Sequence, residues 1–195
     1  MLESLEAIDR WIVLSINGIN APVLDEVMWF ISGKLTWIPL YIFLFYLGFK
    51  KLERTNFFIF LLYVLVAVGI SDFISSGILK EFFQRYRPSH NLLIKNELHL
   101  YLESQNNYYR GGMYGFVSSH AANFFALATS IGLTLKKYYP KIQLILVLVA
   151  VVVSFSRIYL GVHYLSDVIG GAIVGLVVSY FLFWLIQRSK LRISS

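Results

Sequence analysis

The chain has 195 residues, of which 57% are hydrophobic and 17% aromatic, while only 14% are charged. This balance excludes an ordinary water-soluble domain and predicts a single polytopic membrane domain over residues 1–195. The formal net charge of +6 lies beside apolar runs, which favours the lipid bilayer over nucleic acid as partner, and the lack of cysteine excludes disulfides and thiolate metal sites.

The N-terminal segment predicts an amphipathic helix over residues 2–16 that lies in the membrane interface, with Trp11 as its anchor. Glu3 and Glu6 stand where a signal peptide would be positively charged, so we expect no cleavage. The uncharged run 35–49 is shorter than the roughly 20 residues that a span needs. The first crossing is therefore predicted to include residues 21–32.

Four further apolar runs predict the remaining spans. They cover 57 to beyond 80 with a stop at Pro88, 117–135, 142–159 and 168–186. Residues 89–115 are polar and predict an extracytoplasmic connection, with a short surface helix near 92–102. The expected fold is an all-α membrane bundle of five or six transmembrane helices and one interfacial helix.

Small and polar residues inside these spans predict helix contacts. Asp72 lies beside serines in the second span, which favours interhelical hydrogen bonds and leaves a proton path as the alternative. Gly170, Gly171 and Gly175 predict close packing of the last helix.

Basic clusters orient the predicted bundle. Five crossings place three of them on one face, which the positive-inside rule makes cytoplasmic, so the N-terminus is expected outside. The clusters are Lys50/Lys51/Arg54, Lys136/Lys137/Lys141 and Arg188/Lys190/Arg192. The opposite connection also carries basic residues, which we ascribe to function; they are Lys80, Arg85, Arg87, Lys95 and Arg110.

The same topology gathers distant polar residues on the outer face. The ends of the second and fourth helices and the starts of the third and fifth meet there. The residues are Lys80, Arg87, Ser118, Ser119, His120, Arg157, His163 and Asp167.

Three of these residues are cations suited to a phosphate. Lys80 and Arg87 are seven residues apart, which puts them on one side of a predicted helix. Arg157 adds a second guanidinium, whose planar fork matches phosphate oxygens. The alternative for Lys80 and Arg87 is that both side chains extend from a helix end to the interface.

The other polar residues suit proton transfer and nucleophilic attack. Ser118 and Ser119 open the third helix as N-caps, and a helix N-terminus also binds anions. His120 at that position is either a proton donor to a leaving oxygen or a hydrogen-bonded interfacial histidine. His163 and Asp167 are four residues apart, so the carboxylate can hold Nδ1–H and leave Nε2 as a nucleophile, unless Asp167 only caps the last helix.

In this order and spacing, the residues resemble the three-part signature of the phosphatidic acid phosphatase type 2 superfamily, which includes bacterial lipid phosphatases and vanadium haloperoxidases. The three parts are Lys80 with Arg87-Pro88, Ser118-Ser119-His120, and Ser156-Arg157 with His163 and Asp167. Val117 stands where the family usually has proline, and Ser119 where it has glycine. The small size resembles the undecaprenyl pyrophosphate phosphatase branch.

The resemblance implies a metal-independent phosphatase of the bacterial inner membrane with its active site on the extracytoplasmic face. His163 would form a phosphohistidine, Asp167 would orient it, and His120 would act as acid and then as base. The phosphate oxygens would be stabilised by Lys80, Arg87, Ser118, Ser119 and Arg157. Phosphoryl transfer needs the same groups on chemical grounds. No metal or other cofactor is expected, since three cations supply the charge that Mg²⁺ supplies elsewhere.

Three functions remain open from the sequence. A lipid phosphatase would act first on undecaprenyl pyrophosphate, with phosphatidylglycerophosphate, phosphatidic acid or lipid A 1-phosphate as alternatives. A non-catalytic phospholipid-binding or transport protein would use the cations but gives no reason for a histidine oriented by Asp167. A haem-binding electron carrier would use His120 and His163.

Overall fold

The computed structural model describes residues 2–189 and is mostly helical. Lys190 and Arg192 of the third basic cluster, and residues 1 and 190–195 of the predicted domain, lie outside the described residues. The α-helices in the described part are α1 (Leu2–Asn17), α2 (Pro22–Ser32), α3 (Ile38–Lys51), α4 (Arg54–Asp72), α5 (Lys80–Phe83), α6 (Ser119–Leu135), α7 (Ile142–Tyr159) and α8 (Leu165–Arg188).

Helix α1 confirms the predicted N-terminal helix. It has a large apolar surface, with Leu5, Ile8 and Trp11 exposed. Its one buried acidic residue, Asp9, faces the bundle. The helix therefore contacts the membrane bundle through a polar side chain, and its place in the interface stays a prediction.

The predicted first crossing is broken rather than continuous. Helix α2 and the segment Leu35–Lys51, which comprises a 3-10 turn and α3, are bent by 71° at the break. The carbonyls that the break frees are satisfied locally, since Thr36 Oγ1 donates to Phe30 O at 2.6 Å and Trp37 Nε1 donates to Ile31 O at 2.9 Å. Helix α2 packs against α7.

The second apolar run forms one long helical rod that ends earlier than predicted. Helix α4, a π-helical segment (Phe73–Leu79) and α5 follow one another without a break. The rod ends at Phe83 because Gln84 takes a left-handed conformation, with φ of 47°. The expected stop at Pro88 is therefore wrong, and Arg87 lies in extended backbone instead of on the helix.

Helices α6, α7 and α8 confirm the last three apolar runs. Helix α6 is central, because it packs against α4, α7 and α8. Gly171 and Gly175 of α8 allow close contact, since a Cβ at each would lie 2.3 Å from a backbone carbonyl of α6. The predicted role of these glycines in helix packing is confirmed.

Length and composition identify fewer full spans than the five or six that we predicted. In the described part of the chain, residues 54–83, α7 and α8 are long and apolar enough to cross a membrane, and the bent pair adds a fourth if it is one span. Helix α6 has 17 residues, somewhat short of a span of roughly 20. The fold is an all-α polytopic membrane bundle around this short central helix.

The predicted surface helix near 92–102 is wrong. The connection 89–115 starts with a 3-10 turn (Pro88–His90) and includes an antiparallel pair of strands, β1 (Leu102–Ser104) and β2 (Asn107–Tyr108). It packs on α2 through Tyr101, whose ring stacks on Trp29 at 4.5 Å. The connection therefore covers one end of the bundle, while the loops 50–54 and 136–141 meet at the other end around Leu52 and Leu135.

Candidate active site

His163 and Asp167 form a buried pair at the covered end of the bundle. His163 Nδ1 lies 3.2 Å from Asp167 Oδ2, and the two residues are 1% and 0% exposed. Arg87 Nη1 lies 3.0 Å from His163 Nε2. Because a guanidinium only donates hydrogen bonds, Nε2 must accept and Nδ1 must carry the proton that Asp167 accepts.

The pair forms by a different local geometry from the one predicted. His163 lies in the turn between α7 and α8, and only Asp167 is helical. Asp167 Oδ2 also accepts from the backbone N–H of Tyr164 at 3.0 Å, at the start of α8. The orienting contact and the helix-capping alternative are both present, since one carboxylate makes both contacts.

Burial and nearby cations keep the His163 imidazole neutral. Burial lowers the pKa of His163 well below its ordinary value of 6.5, and the positive charges of Arg87 and Arg157 lower it further. The pKa of Arg87 falls to about 10, chiefly through burial and then through Arg157, so Arg87 stays protonated at neutral pH. The cation and the neutral imidazole can therefore share a hydrogen bond.

Arg87 is held by backbone carbonyls of two segments. Its Nε donates to Tyr114 O at 3.0 Å and its Nη1 donates to Val162 O at 3.1 Å. Gly111 lies against the guanidinium with φ of +67°, and a Cβ there would lie 3.0 Å from Nη1. The connection thus positions Arg87 without a carboxylate partner.

Arg157, in the last turn of α7, is held by two side chains that the sequence did not indicate. Its Nη1 donates to the hydroxyl of Ser32 in α2, and its Nη2 donates to Tyr109 Oη at 2.8 Å. Its Nε is buried and has no hydrogen-bond partner among residues 2–189. That N–H remains available to a ligand.

Lys80 meets the N-terminus of α6 through Ser119. Lys80 Nζ donates to Ser119 Oγ at 2.6 Å, and Ser76 Oγ lies 2.7 Å from the same hydroxyl. Ser76 belongs to the π-helical segment, a feature that often occurs at functional sites. Ser118 is the N-cap of α6, and its buried Oγ accepts from Ala121 N, so the serine N-cap alternative is confirmed.

One cavity of about 760 Å³ connects the predicted residues. Six of the eight line it, whereas Asp167 lies behind His163 and Ser118 caps α6. The six are Lys80, Arg87, Ser119, His120, Arg157 and His163. The rest of the wall, formed by α3, α4 and α6, includes apolar side chains, namely Tyr41, Phe45, Val64, Leu65, Val68, Phe124 and Leu127. The cavity suits a molecule with an anionic head and an apolar tail.

The family assignment agrees with this geometry. The PAP2 superfamily model matches residues 57–191. The chain belongs to the PAP2 superfamily. The match covers both histidines of the cavity and the cations Lys80, Arg87 and Arg157, whereas Lys34, which also lines the cavity, lies before it.

Relatives and solved structures of the PAP2 superfamily extend over nearly the whole chain. The lipid A 4'-phosphatase of Porphyromonas gingivalis is 38% identical over 193 residues, which are 97% of this chain and 78% of that protein. The lipid A 4'-phosphatase of Bacteroides thetaiotaomicron is 30% identical over 195 residues, 100% of this chain and 84% of that protein. Aquifex aeolicus LpxE superposes with a TM-score of 0.61 at 26% identity and covers 89% of this chain and 93% of its own.

A further structure shows the same PAP2 fold. The transmembrane PAP2-type phosphatidylglycerolphosphate phosphatase of Bacillus subtilis superposes with a TM-score of 0.69 at 23% identity, covering 96% of this chain and 88% of its own. The likeness concerns the fold alone.

Arg85, one of the basic residues that we ascribed to function, was not predicted to contact the residues of this PAP2 site. Its Nη1 donates to Asp167 Oδ1 at 3.0 Å and its Nη2 donates to Asp9 Oδ2 at 2.8 Å. Asp9 Oδ1 in turn accepts from Ser166 N at 3.1 Å. Asp9 and Arg85 lie 76 residues apart, so no local pattern signals the contact.

Within residues 2–189, no group of three or more His, Asp or Glu side chains is placed to hold a metal ion. Metal independence stays a prediction for assay.

Proposed function

We propose that this membrane lipid phosphatase hydrolyses the 4'-phosphate monoester of lipid A through a phosphohistidine intermediate. One observation carries the proposal: the Nε2 lone pair of His163 shares a cavity with the cations Lys80, Arg87 and Arg157 and with an apolar groove. The substrate class is supported by the 38% identity to a lipid A 4'-phosphatase over 97% of the chain. The sequence alone put undecaprenyl pyrophosphate first and lipid A among the alternatives.

Attack begins when the substrate phosphate displaces Arg87 from His163. A phosphate oxygen of the substrate replaces Nε2 as the acceptor of the Arg87 N–H hydrogen bond. This exchange frees the Nε2 lone pair and places phosphorus beside it. Nε2 forms a bond to phosphorus as the ester P–O bond breaks. Asp167 stabilises the positive charge that the imidazole ring gains, because its carboxylate accepts the Nδ1 proton in a hydrogen bond.

His120 supplies the proton balance. It takes up a proton when the anionic phosphate binds, because a nearby anion favours the imidazolium form, and it donates this proton to the departing sugar oxygen. In the second half it accepts a proton from the water that attacks the phosphohistidine. The N–P bond breaks, inorganic phosphate leaves, and His163 returns to its neutral form. His120 suits this role because it lines the cavity beside the nucleophile.

The cations stabilise the transferring phosphoryl group. Lys80, Arg87 and Arg157 surround the phosphate position, and the buried Arg157 Nε supplies a donor that no group in the described part of the protein accepts. Ser119 orients Lys80, while Ser118 acts through the capped N-terminus of α6, whose free amides favour an anion. No metal ion takes part in the proposed steps.

We place the active site at the extracytoplasmic face of the bacterial inner membrane. The loops at the opposite end carry Lys50, Lys51, Lys136 and Lys137. Such residues favour the cytoplasmic side.

The test is phosphate release by detergent-purified protein in the presence of EDTA. The panel contains lipid A with both phosphates, undecaprenyl pyrophosphate, phosphatidylglycerophosphate and phosphatidic acid, and mass spectrometry locates the phosphate lost. The wild type should act fastest on lipid A, and His163→Ala should lower the rate by about 1,000-fold or more.

His99→Ala is the matched control, because His99 is a half-exposed histidine outside the cavity. It should retain activity. Undiminished turnover by His163→Ala would overturn the mechanism. A faster reaction with undecaprenyl pyrophosphate would overturn the lipid A assignment alone.

A further inference from the structure

Asp72 is an acidic group on a cavity wall that also carries cationic, neutral polar and apolar side chains. Among the described residues that line the cavity, it is the one carboxylate. It lies within the 54–83 rod, in a membrane span, where ionisable side chains are costly and mark functional sites. None of the phosphoryl-transfer steps above uses it.

Asn123 fixes the Asp72 carboxylate. Asn123 Nδ2 donates to Asp72 Oδ1 at 2.8 Å, across 51 residues of sequence. Because a carboxylate only accepts, the amide must present its NH₂ group to Asp72, and the buried Asn123 Oδ1 has no donor among the residues that the structure describes. The pair therefore has an excess of hydrogen-bond acceptors and needs a donor.

The position of the pair along the cavity indicates which part of a lipid it meets. On the same rod, Val68 of the apolar wall precedes Asp72 by four residues, and Lys80 follows it by eight. At a rise of about 1.5 Å per residue, Asp72 lies roughly 6 Å from the apolar groove and 12 Å from the phosphate cation. A lipid held by its phosphate at Lys80 would present its linker region to Asp72.

We propose that Asp72 and Asn123 form a subsite for a hydroxyl or amide N–H in the linker of the lipid, between the phosphate and the acyl chains. The inference rests on the proposed function for the position of the phosphate. A carboxylate repels a second phosphate and gains nothing from an ester carbonyl, whereas it gains a charge-assisted hydrogen bond from O–H or N–H. Hydroxylated or amide-linked lipids such as lipid A fit this subsite, and polyprenyl phosphates do not.

Two lipids with the same head group distinguish the proposed subsite from a simpler hypothesis, in which Asp72 only balances the positive charge of Lys80. Ceramide 1-phosphate has an amide N–H and a hydroxyl in its linker, whereas phosphatidic acid has two esters and no donor. Both are phosphate monoesters with two chains. Binding is measured by microscale thermophoresis of the full chain in detergent on the His163→Ala background, so that no lipid is consumed.

The protein with Asp72 should bind ceramide 1-phosphate about 10-fold more tightly than phosphatidic acid. Asp72→Val should bring the two affinities within about 2-fold of each other. Asp72→Asn, which keeps the size of the side chain in case the valine variant does not fold, should give an intermediate preference, because a neutral amide accepts more weakly than a carboxylate. Glu81→Gln, an exposed acid on α5 outside the cavity wall, is the matched control and should keep the full preference.

No preference with Asp72 present, or a preference that Asp72→Val retains, would overturn the inference. An equal loss of affinity for both lipids would overturn it as well, because Asp72 would then act only on Lys80. The inference is also overturned if neither of the two lipids binds. Failure of the phosphatase proposal would be seen separately, as a wild type that releases no phosphate from any lipid.

Discussion

At the scale of single residues, the site is defined by one shared hydrogen bond between Arg87 and His163. It fixes the tautomer of the imidazole before a substrate arrives, and it keeps the Nε2 lone pair directed into the cavity. In the proposed mechanism, the same guanidinium donates a hydrogen bond to the substrate phosphate. Arg87 therefore positions the nucleophile first and the phosphoryl group second.

His163 should remain unprotonated in mildly acidic solution. Burial and then Arg87 lower its pKa well below 6.5, so the neutral form persists as the pH falls through 6.5, where an ordinary histidine becomes protonated. The check is ¹⁵N NMR of histidine-labelled protein, with His163→Gln to assign the signal. A His163 signal that titrates with a midpoint near 6.5 would contradict the prediction.

Single residues also set the limit of sequence reasoning here. The Lys80 and Arg87 pair was predicted from helical spacing, yet both side chains reach the cavity although Arg87 has left the helix. The prediction that the two side chains lie close together is confirmed, but the reason given for it, their spacing along one helix, is wrong. A left-handed Gln84 cannot be read from the sequence, because glutamine carries no preference for that conformation.

At the scale of elements, α1 contributes to the site from outside the apolar bundle. Its Asp9 accepts from Arg85 and from Ser166 N, and Arg85 contacts the Asp167 carboxylate that pairs with His163. An amphipathic N-terminal helix is thus connected to the first turn of α8 through two ion pairs.

Removing the Asp9 charge should reduce turnover more than substrate affinity. In Asp9→Asn the Arg85 guanidinium loses a charged partner, Asp167 is held less firmly, and His163 is less well oriented. We expect kcat to fall about 10-fold with KM nearly unchanged, since misorientation affects the reaction step. Steady-state kinetics with a lipid phosphate gives the measurement.

Glu6→Gln is the control on the same helix, because Glu6 is exposed and pairs only with Arg10 among the described ion pairs. It should behave as wild type. If Asp9→Asn has a wild-type kcat, the connection through Arg85 has no role in turnover.

Two Gly→Ala changes should have opposite effects on stability, because one glycine lies in the contact between α6 and α8 and the other does not. In Gly175→Ala the new Cβ would lie 2.3 Å from Ala122 O, so the helices must separate, at a cost of about 1–3 kcal/mol. In Gly69→Ala on α4 the Cβ meets nothing within 4 Å, and the higher helix propensity of alanine should stabilise by up to about 1 kcal/mol. Thermal unfolding in detergent compares the two, and equal shifts would refute the packing argument.

At the scale of the whole molecule, the bundle leaves a cavity whose polar end and apolar wall are formed by different helices. The polar end collects side chains from α5, α6, α7 and the turn before α8, while α3 and α4 supply much of the apolar wall. A lipid phosphate can therefore keep its chains beside the bundle while its head group enters the site.

Filling the apolar wall should discriminate between long-chain and small substrates. Leu65→Trp adds bulk to the groove, so kcat/KM for a long-chain lipid phosphate should fall about 10-fold relative to kcat/KM for a small aryl phosphate. Leu62→Trp is the matched control, since Leu62 is 63% exposed on the same helix and does not line the cavity. An unchanged ratio in Leu65→Trp would show that the tail binds elsewhere.

Much of this molecule was predictable from the sequence for a physical reason. Apolar runs must match the bilayer, so α7 and α8 could be read directly from hydropathy. The signature residues were identifiable because phosphoryl transfer needs a nucleophile, charge neutralisation and a proton donor, and cations and histidines can supply all three. Partners such as Ser32 and Tyr109 of Arg157 were not, since nothing in their local sequence marks them.

The sequence by itself determined an all-α membrane bundle and a set of residues whose side chains can bind a phosphate. It could do so because hydrophobicity and side-chain chemistry are properties of each residue and its neighbours in the chain. Tertiary structure alone decided the break between α2 and α3, the exit of Arg87 from its helix and the Asp9–Arg85–Asp167 connection. These features depend on contacts between residues far apart in the chain, such as Asp9 and Ser166, which are 157 positions apart. Contacts at that separation form only when the packed helices bring the residues together.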